Sequence, residues 1–368
     1  MKLKPIHKLR DKTHSNGVVL ALEERGFCAV LKGRKTNVAE AGQISSFYPT
    51  IKNSSVAWID FVVDDLHRDA VEEATKLGFS KLLVKNLLKH PRSGYEDFND
   101  ELGLKVPAIR VQGFDVVLDP LIILLRKNML VTLHSSDTKR FFRVRRYAET
   151  LLRKLPHSME QVDKMTLLLI RIIGENNARN FDYLQVIEET GDSLSQKLSD
   201  KDTPRELLGK EIYKMKHALI TYLSGLWATS DALGSLRHGD ADLVTDDEKI
   251  LDRISGLLNE VNAQIGLAEH LSDVLASGME VLQSIYNNQL QLLNNRLAML
   301  VAYLTIIGTA LLVPNTIATV MSNSMFQLQA GDVPWYLEII VISTVVSTFA
   351  AWWVVKRLGL LPKGPDSS

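Results

Sequence analysis

The spacing of hydrophobic positions changes along this chain, and each change marks a different kind of element. From about Gly17 to Ser135, short apolar runs alternate with amphipathic ones. The runs VVLALEE, FCAVLKG, VAWIDFVV, PAIRVQGFDVVLD and PLIILLRKNMLVTLHS are rich in Val, Ile and Leu and bounded by Gly, Asn, Asp or Pro, which predicts strands. Between them, DDLHRDAVEEATKLGF and KLLVKNLLKH carry apolar residues at helical spacing. The pattern predicts a cytosolic α/β domain over residues 1–157.

Beyond that the chain reads as helical to its end. Ser158 with Gln161, Thr203 with Glu206, and Thr245 with Glu248 have the spacing of capping boxes, in which a hydroxyl and an amide or carboxylate satisfy orphan backbone N–H groups. Pro204 follows Thr203 at the first helical position, which strengthens that start. No breaker interrupts the pattern from Thr245 until Pro314. A helix of about 70 residues would be roughly 100 Å long, more than a globular domain needs. The prediction is a long helical, coiled stalk over 158–296, whose last helix runs into a membrane as one rod.

Hydropathy supports the membrane. Leu297 to Met321 is uncharged, and so is Ile339 to Val355; a helix needs about 20 apolar residues to cross a bilayer. Two transmembrane helices are predicted within 297–358, joined by a short outer loop at 322–334 and followed by a cytosolic tail at 359–368. Arg296, Lys356, Arg357 and Lys363 flank the spans, whereas the loop has Asp332 and no Lys or Arg, so both termini are placed in the cytoplasm of a multi-pass cell-membrane protein. The N-terminal MKLKPIHKLRDK is followed by no apolar stretch of the secretory type. Trp335 and Tyr336 suit the outer interface, and Trp352 and Trp353 the inner one.

Composition narrows the chemistry. The 368 residues hold 43 basic and 43 acidic side chains, so bulk charge does not point to nucleic acid. The single cysteine, Cys28, excludes an intrachain disulfide and a four-cysteine metal site, and its apolar neighbours predict a buried structural thiol. No phosphate loop, nucleophile elbow, HExxH or paired-carboxylate motif is present, so the chain does not read as an enzyme.

The chemistry lies on one stripe. Alternate steps of three and four residues pick out Asn288, Gln291, Asn295, Ala298, Ala302, Thr305, Thr309, Leu312, Thr316, Thr319 and Asn323, nearly all polar or small amid Leu, Ile, Val and Met. Lipid does not tolerate such a face, so it must look at protein or water. Several copies of the first span around an axis would line a hydrated path with it; close packing of transmembrane helices through small residues is the other reading. Pro314 cannot donate to the carbonyl of Ala310, which frees that oxygen at membrane depth, with the Asn315 amide beside it.

Leu304-Thr305-Ile306-Ile307-Gly308-Thr309, then Pro314-Asn315-Thr316-Ile317-Ala318-Thr319, preceded by Asn295-Arg296-Leu297, resembles the first transmembrane helix of the CorA-type magnesium transporters. The order of parts is also similar, from the AWIDF and NMLVTLHSS strands to the stalk and two C-terminal spans. The resemblance implies a funnel-shaped homopentamer in membrane lipid, with a pore lined by Thr305, Thr309, Leu312, Asn315, Thr316 and Thr319. It implies divalent metal ions as substrate, Mg2+ first, with cobalt, nickel or zinc as other cargo. The family's Gly-Met-Asn signature is absent. Ser322, Asn323 and Ser324 stand in its place as the ion-selecting mouth, with Asn323 as the residue that meets the metal, and Ala298 stands where the family has a pore asparagine.

A ring of Asn323 amides and Ser hydroxyls suits an ion that keeps its waters, as magnesium does. Neither span contains His or Cys, which argues against direct coordination of soft metals. The altered signature leaves open a non-conducting, metal- or ligand-sensing oligomer and a pore for another ion class. Asp64, Asp65, Glu72, Glu73 and the acids between Asp240 and Glu248 read either as inter-subunit sensing sites, as the resemblance implies, or as solvated helix ends and caps. His134 and His238 read as structural.

Overall fold

The structure is a computed structural model and describes residues 25–138, 141–199, 205–323 and 330–357. It falls into two compact units, Met1–Gly278 and Met279–Ser368.

The first unit is built on a seven-stranded sheet: β1 (Gly26–Lys32), β2 (Lys35–Ala41), β3 (Val56–Val63), β4 (Gly94–Asp97), β5 (Glu101–Gln112), β6 (Asp115–Arg126) and β7 (Met129–Ser135), in the order β2-β1-β3-β7-β6-β5-β4. β3 and β7 are parallel, with Ile59 opposite Val131, and the other neighbours are antiparallel. A short α1 (Tyr48–Ile51) precedes β3, and α2 (Leu66–Lys76) and α3 (Lys81–Lys89) follow it. These two helices bury Ala70, Ala74, Leu83 and Leu87 against Ile59, Phe61, Val131 and Leu133 on one sheet face. Helices α4 (Phe142–Arg153), α5 (Gln161–Ser199) and α6 (Arg205–His238) pack on the other.

FCAVLKG and VAWIDFVV form β1 and β3 as expected. The two longer apolar runs each enclose a turn. β5 returns into β6 at Gly113, whose φ of +61° is open to glycine without strain, and β6 returns into β7 across Lys127 and Asn128. VVLALEE lies outside the described residues. β2, KTNVAEA, is an edge strand with little apolar content, and the hydrophobic pattern does not announce it. Cys28 is buried, and burial pushes its thiol up to about 12 against the opposing pull of Lys32, which fits the structural role expected of it.

β3 is buried on both faces, yet it carries Asp60, 1% exposed. The carboxylate is satisfied from several directions. Thr132 Oγ1 donates to Oδ1 at 2.6 Å, His134 Nε2 lies 3.1 Å from the same oxygen, and Arg145 Nε of α4 donates to Oδ2 at 2.7 Å. His134 Nδ1 faces Ser135 O at 2.9 Å, so both ring nitrogens meet oxygen acceptors. Trp58 Nε1 donates to Thr132 Oγ1 at 3.3 Å, and Trp58 sits edge-on to both Phe27 and Phe141. The expected structural role of His134 is this network.

Burial alone would raise the Asp60 carboxyl; His134, Arg145 and Thr132 outweigh it and hold the group down at about 2. The folded value lies below the unfolded one, so the stabilisation is complete above pH ~4 and is lost as pH falls towards ~2, on the order of 2 kcal/mol. Acid unfolding of the wild type followed by tryptophan fluorescence should show this limb, and Asp60→Asn should flatten it.

The helix starts differ in detail from their capping boxes. α5 begins at Gln161 itself, whose side-chain amide donates to the carbonyls of Ser55 and Lys127 and not to Ser158. α7 (Glu248–Met321) is capped by Asp247, which accepts from Lys249 N at 2.7 Å. Thr245 Oγ1 accepts from Asp247 N at 3.0 Å and donates to Asp163, tying this start to α5. In both places a tertiary acceptor outcompetes the local box. Thr203 lies outside the described residues.

Candidate ion-conducting face

α7 runs for 74 residues without interruption, as the absence of breakers predicted, and passes through Pro314. In the second unit it is joined by α8 (Val333–Arg357), and these are the described helices long and apolar enough to cross a membrane. Trp352 lies under Lys356 Nζ, and Trp353 under the Arg357 guanidinium, each at 4.9 Å from the ring centre, so aromatic and basic anchors are paired at one end of α8. At the other end Trp335 Nε1 donates to Asp332 Oδ1 at 3.1 Å.

Pro314 removes the N–H that would have reached Ala310 O. Ser347 Oγ of α8 lies 3.1 Å from that oxygen, and also 3.1 Å from Thr344 O within its own helix. The carbonyl left by proline is thus met by a hydroxyl from the second span. Ala310 and Ser347 are both buried there. Ser347→Ala should cost ~1–3 kcal/mol in SDS unfolding, because a buried acceptor loses its donor. In a Pro314→Ala background the same change should cost clearly less, since residue 314 then supplies its own N–H.

The polar stripe lies elsewhere on the helix. Thr305, Thr309, Leu312, Asn315, Thr316 and Thr319 are all exposed, whereas Ala302, Ala310 and Pro314 are buried. At 100° per residue, the threonines point roughly 100–180° away from Ala310 and Pro314, whereas Ala302 lies on the threonine side. α8 therefore leaves the threonines of the stripe uncovered; Ala302, on the same side, is buried.

Three of the four threonine hydroxyls on the stripe share one orientation. Thr305 Oγ1 donates to Val301 O at 2.8 Å, Thr316 to Leu312 O at 2.7 Å and Thr319 to Asn315 O at 2.7 Å. Each spends its hydrogen on its own helix, so its oxygen presents lone pairs outward. A column of such oxygens accepts hydrogen bonds from the outer hydrogens of a hydrated cation and offers an anion nothing. Thr344 and Thr348 of α8 bond their own helix in the same way, so this arrangement by itself does not distinguish a pore face from a packing face.

α7 ends at Met321. Ser322 N reaches back to Ala318 O at 3.0 Å, Asn323 N to Val320 O at 3.3 Å, and Ser322 Oγ donates to Thr319 O at 3.0 Å. Ser322 and Asn323 thus stand just past the helix C-terminus, the negative end of its dipole, which favours a cation. Ser324 lies outside the described residues.

Asp64, Asp65, Glu72 and Glu73 have structural partners. Asp64 pairs with Arg25 at 2.9 Å, Asp65 caps α2 through His67 N and Arg68 N, and Lys76 bridges Glu72 and Glu73 at 2.9 and 2.8 Å. Among the described residues no cluster of three or more His, Cys, Asp or Glu could hold a metal ion. His238 is the last residue of α6.

Comparison with known proteins agrees with this architecture. The complete CorA magnesium transporter of Methanocaldococcus jannaschii is similar over 90% of this chain and 98% of its own, with a TM-score of 0.66 and 18% identity. The ZntB cytoplasmic domain of Vibrio parahaemolyticus matches 72% of this chain and 99% of its own at a TM-score of 0.54 and 16% identity. The full-length CmaX protein matches 91% and 98% at a TM-score of 0.52 and 16% identity. Comparison with curated proteins by sequence returned no match. The family model described as CorA-like Mg2+ transporter protein matches residues 53–357. An α/β sheet domain, one helix continued into an apolar span and a second apolar helix at its side are thus accompanied by a family match over most of the chain, which belongs to the CorA-like Mg2+ transporter family.

Proposed function

We propose that the protein carries hydrated divalent cations, Mg2+ foremost, across the cell membrane through a pore formed by the first spans of five copies. The reading rests on the acceptor stripe of α7, whose threonines α8 leaves uncovered. In a ring, Thr305, Thr309, Leu312, Asn315, Thr316 and Thr319 face the axis, and Ser322, Asn323 and Ser324 form the mouth. α8 then stands outside the ring against lipid, and the flanking basic residues put both termini in the cytoplasm.

Neutral oxygens suit magnesium because it dehydrates reluctantly. They also admit cobalt and nickel, whose hydrated ions present the same outward hydrogens. Vesicles containing the protein should take up Mg2+, Co2+ or Ni2+, and Asn323→Ala should lower that flux. Impermeability to every divalent ion overturns the proposal. The replacement of Gly-Met-Asn by Ser-Asn-Ser favours one second reading, a membrane-anchored oligomer that senses metal without conducting; metal-dependent conformational change with no flux is its signature.

A further inference from the structure

Lys105 is a charged residue in the interior of β5, 4% exposed. Its ammonium donates to the backbone carbonyl of His90, and among the described residues it has no carboxylate partner. Burial lowers its affinity for a proton, as expected for a cation removed from water without a counter-charge. Buried charges are ordinarily paired, and Asp60 in the same domain shows how fully this chain can do so.

Lys105 lines a cavity of about 260 Å³ whose other charged or titratable lining groups are His67, Lys89, His90 and Arg92. No acidic side chain lines it. Lys89 Nζ has the neutral Asn86 Oδ1 at 3.3 Å, and neither Lys89 nor Arg92 makes an ion pair among the described residues. Glu96 lies nearby but is engaged with His90 Nε2 at 2.9 Å. Pro107 and Pro120, directly opposed across β5 and β6, form a stiff wall.

We infer that this cavity binds the phosphoryl group of a small soluble phosphorylated metabolite. Lys105 supplies a charge at the back, Arg92 a planar fork at the rim and Lys89 a mobile third cation, a set better matched to a multiply charged phosphate than to a single carboxylate. The volume is below that of sites for drug-sized ligands, so it accommodates one or two phosphoryl groups, with the rest of the metabolite at the surface.

The test uses the full chain in nanodiscs of neutral lipid, titrated calorimetrically with pyrophosphate and with inorganic phosphate. Pyrophosphate should bind once per chain. Arg92→Ala, at an exposed rim position, should weaken it by about tenfold, the effect of one charge-assisted bond, and Lys105→Met should remove it. If Lys105→Met does not fold, Arg92→Ala alone decides. No heat from the wild type, as would follow if a carboxylate of a neighbouring copy neutralised Lys105, overturns the inference. So does equal binding by wild type and Arg92→Ala, and so does binding confined to nanodiscs containing phosphoinositide, which would assign the site to a lipid headgroup. None of these readouts depends on ion flux, so the site and the transport proposal fail or stand separately.

Discussion

Thr316→Leu is expected to cut divalent cation flux to at most about a tenth, equivalent to ~1.4 kcal/mol or more added to the permeation barrier. The change replaces an outward oxygen with an isobutyl group at the same place in every copy, and an apolar ring at mid-pore gates by excluding water. The matched control is Thr344→Leu. Thr316 and Thr344 both donate to a carbonyl four residues back, at 2.7 Å each, so the two substitutions remove the same local bond. If the stripe lines the path, only the α7 change blocks it. Equal effects, with assembly checked by size, would mean that hydroxyls in both spans serve packing and that the ion passes elsewhere.

Asp60→Ala should destabilise the first unit by about 3–5 kcal/mol, because it strips the shared counter-charge from buried His134 and from Arg145. The loss should appear as a large drop in the thermal midpoint of the first unit's transition. Asp60→Asn keeps the volume and one acceptor oxygen and should fall between the two. A simultaneous change of Arg145 to Met and His134 to Leu should recover part of the loss, since the cost comes from orphaned groups more than from the missing ion pair. Full stability in Asp60→Ala would refute the role given to the network.

What could be read in advance follows the range of the interactions. The spans, the unbroken α7 and the central strands depend on local hydropathy and spacing, and they were legible. Asn323 could be numbered along the stripe, with Ser322 beside it in place of the family signature, but their position past the end of α7 depends on where the helix stops, which no breaker announces. Asp60 carried a signal, a lone carboxylate in a strand apolar on both faces. Its partners are 72 to 85 residues distant and emerge only when β7 and α4 are laid against β3. The tie from Ser347 to Ala310 was half legible. Pro314 shows that an acceptor is orphaned, and the second span offers few hydroxyls to meet it, but the choice among Ser343, Thr344, Ser347 and Thr348 needs the register between helices. Lys105 carries no such signal, because a lysine in a strand usually points to solvent.

The outward-facing lone pairs of Thr305, Thr316 and Thr319 also bear on kinetics. Oxygens that grip a cation by the hydrogens of its own waters never ask the metal to exchange a ligand. Throughput along such a column should then be indifferent to how labile the inner shell is, so ions of equal charge and hydrated size, whether their waters exchange slowly or fast, should pass at similar rates.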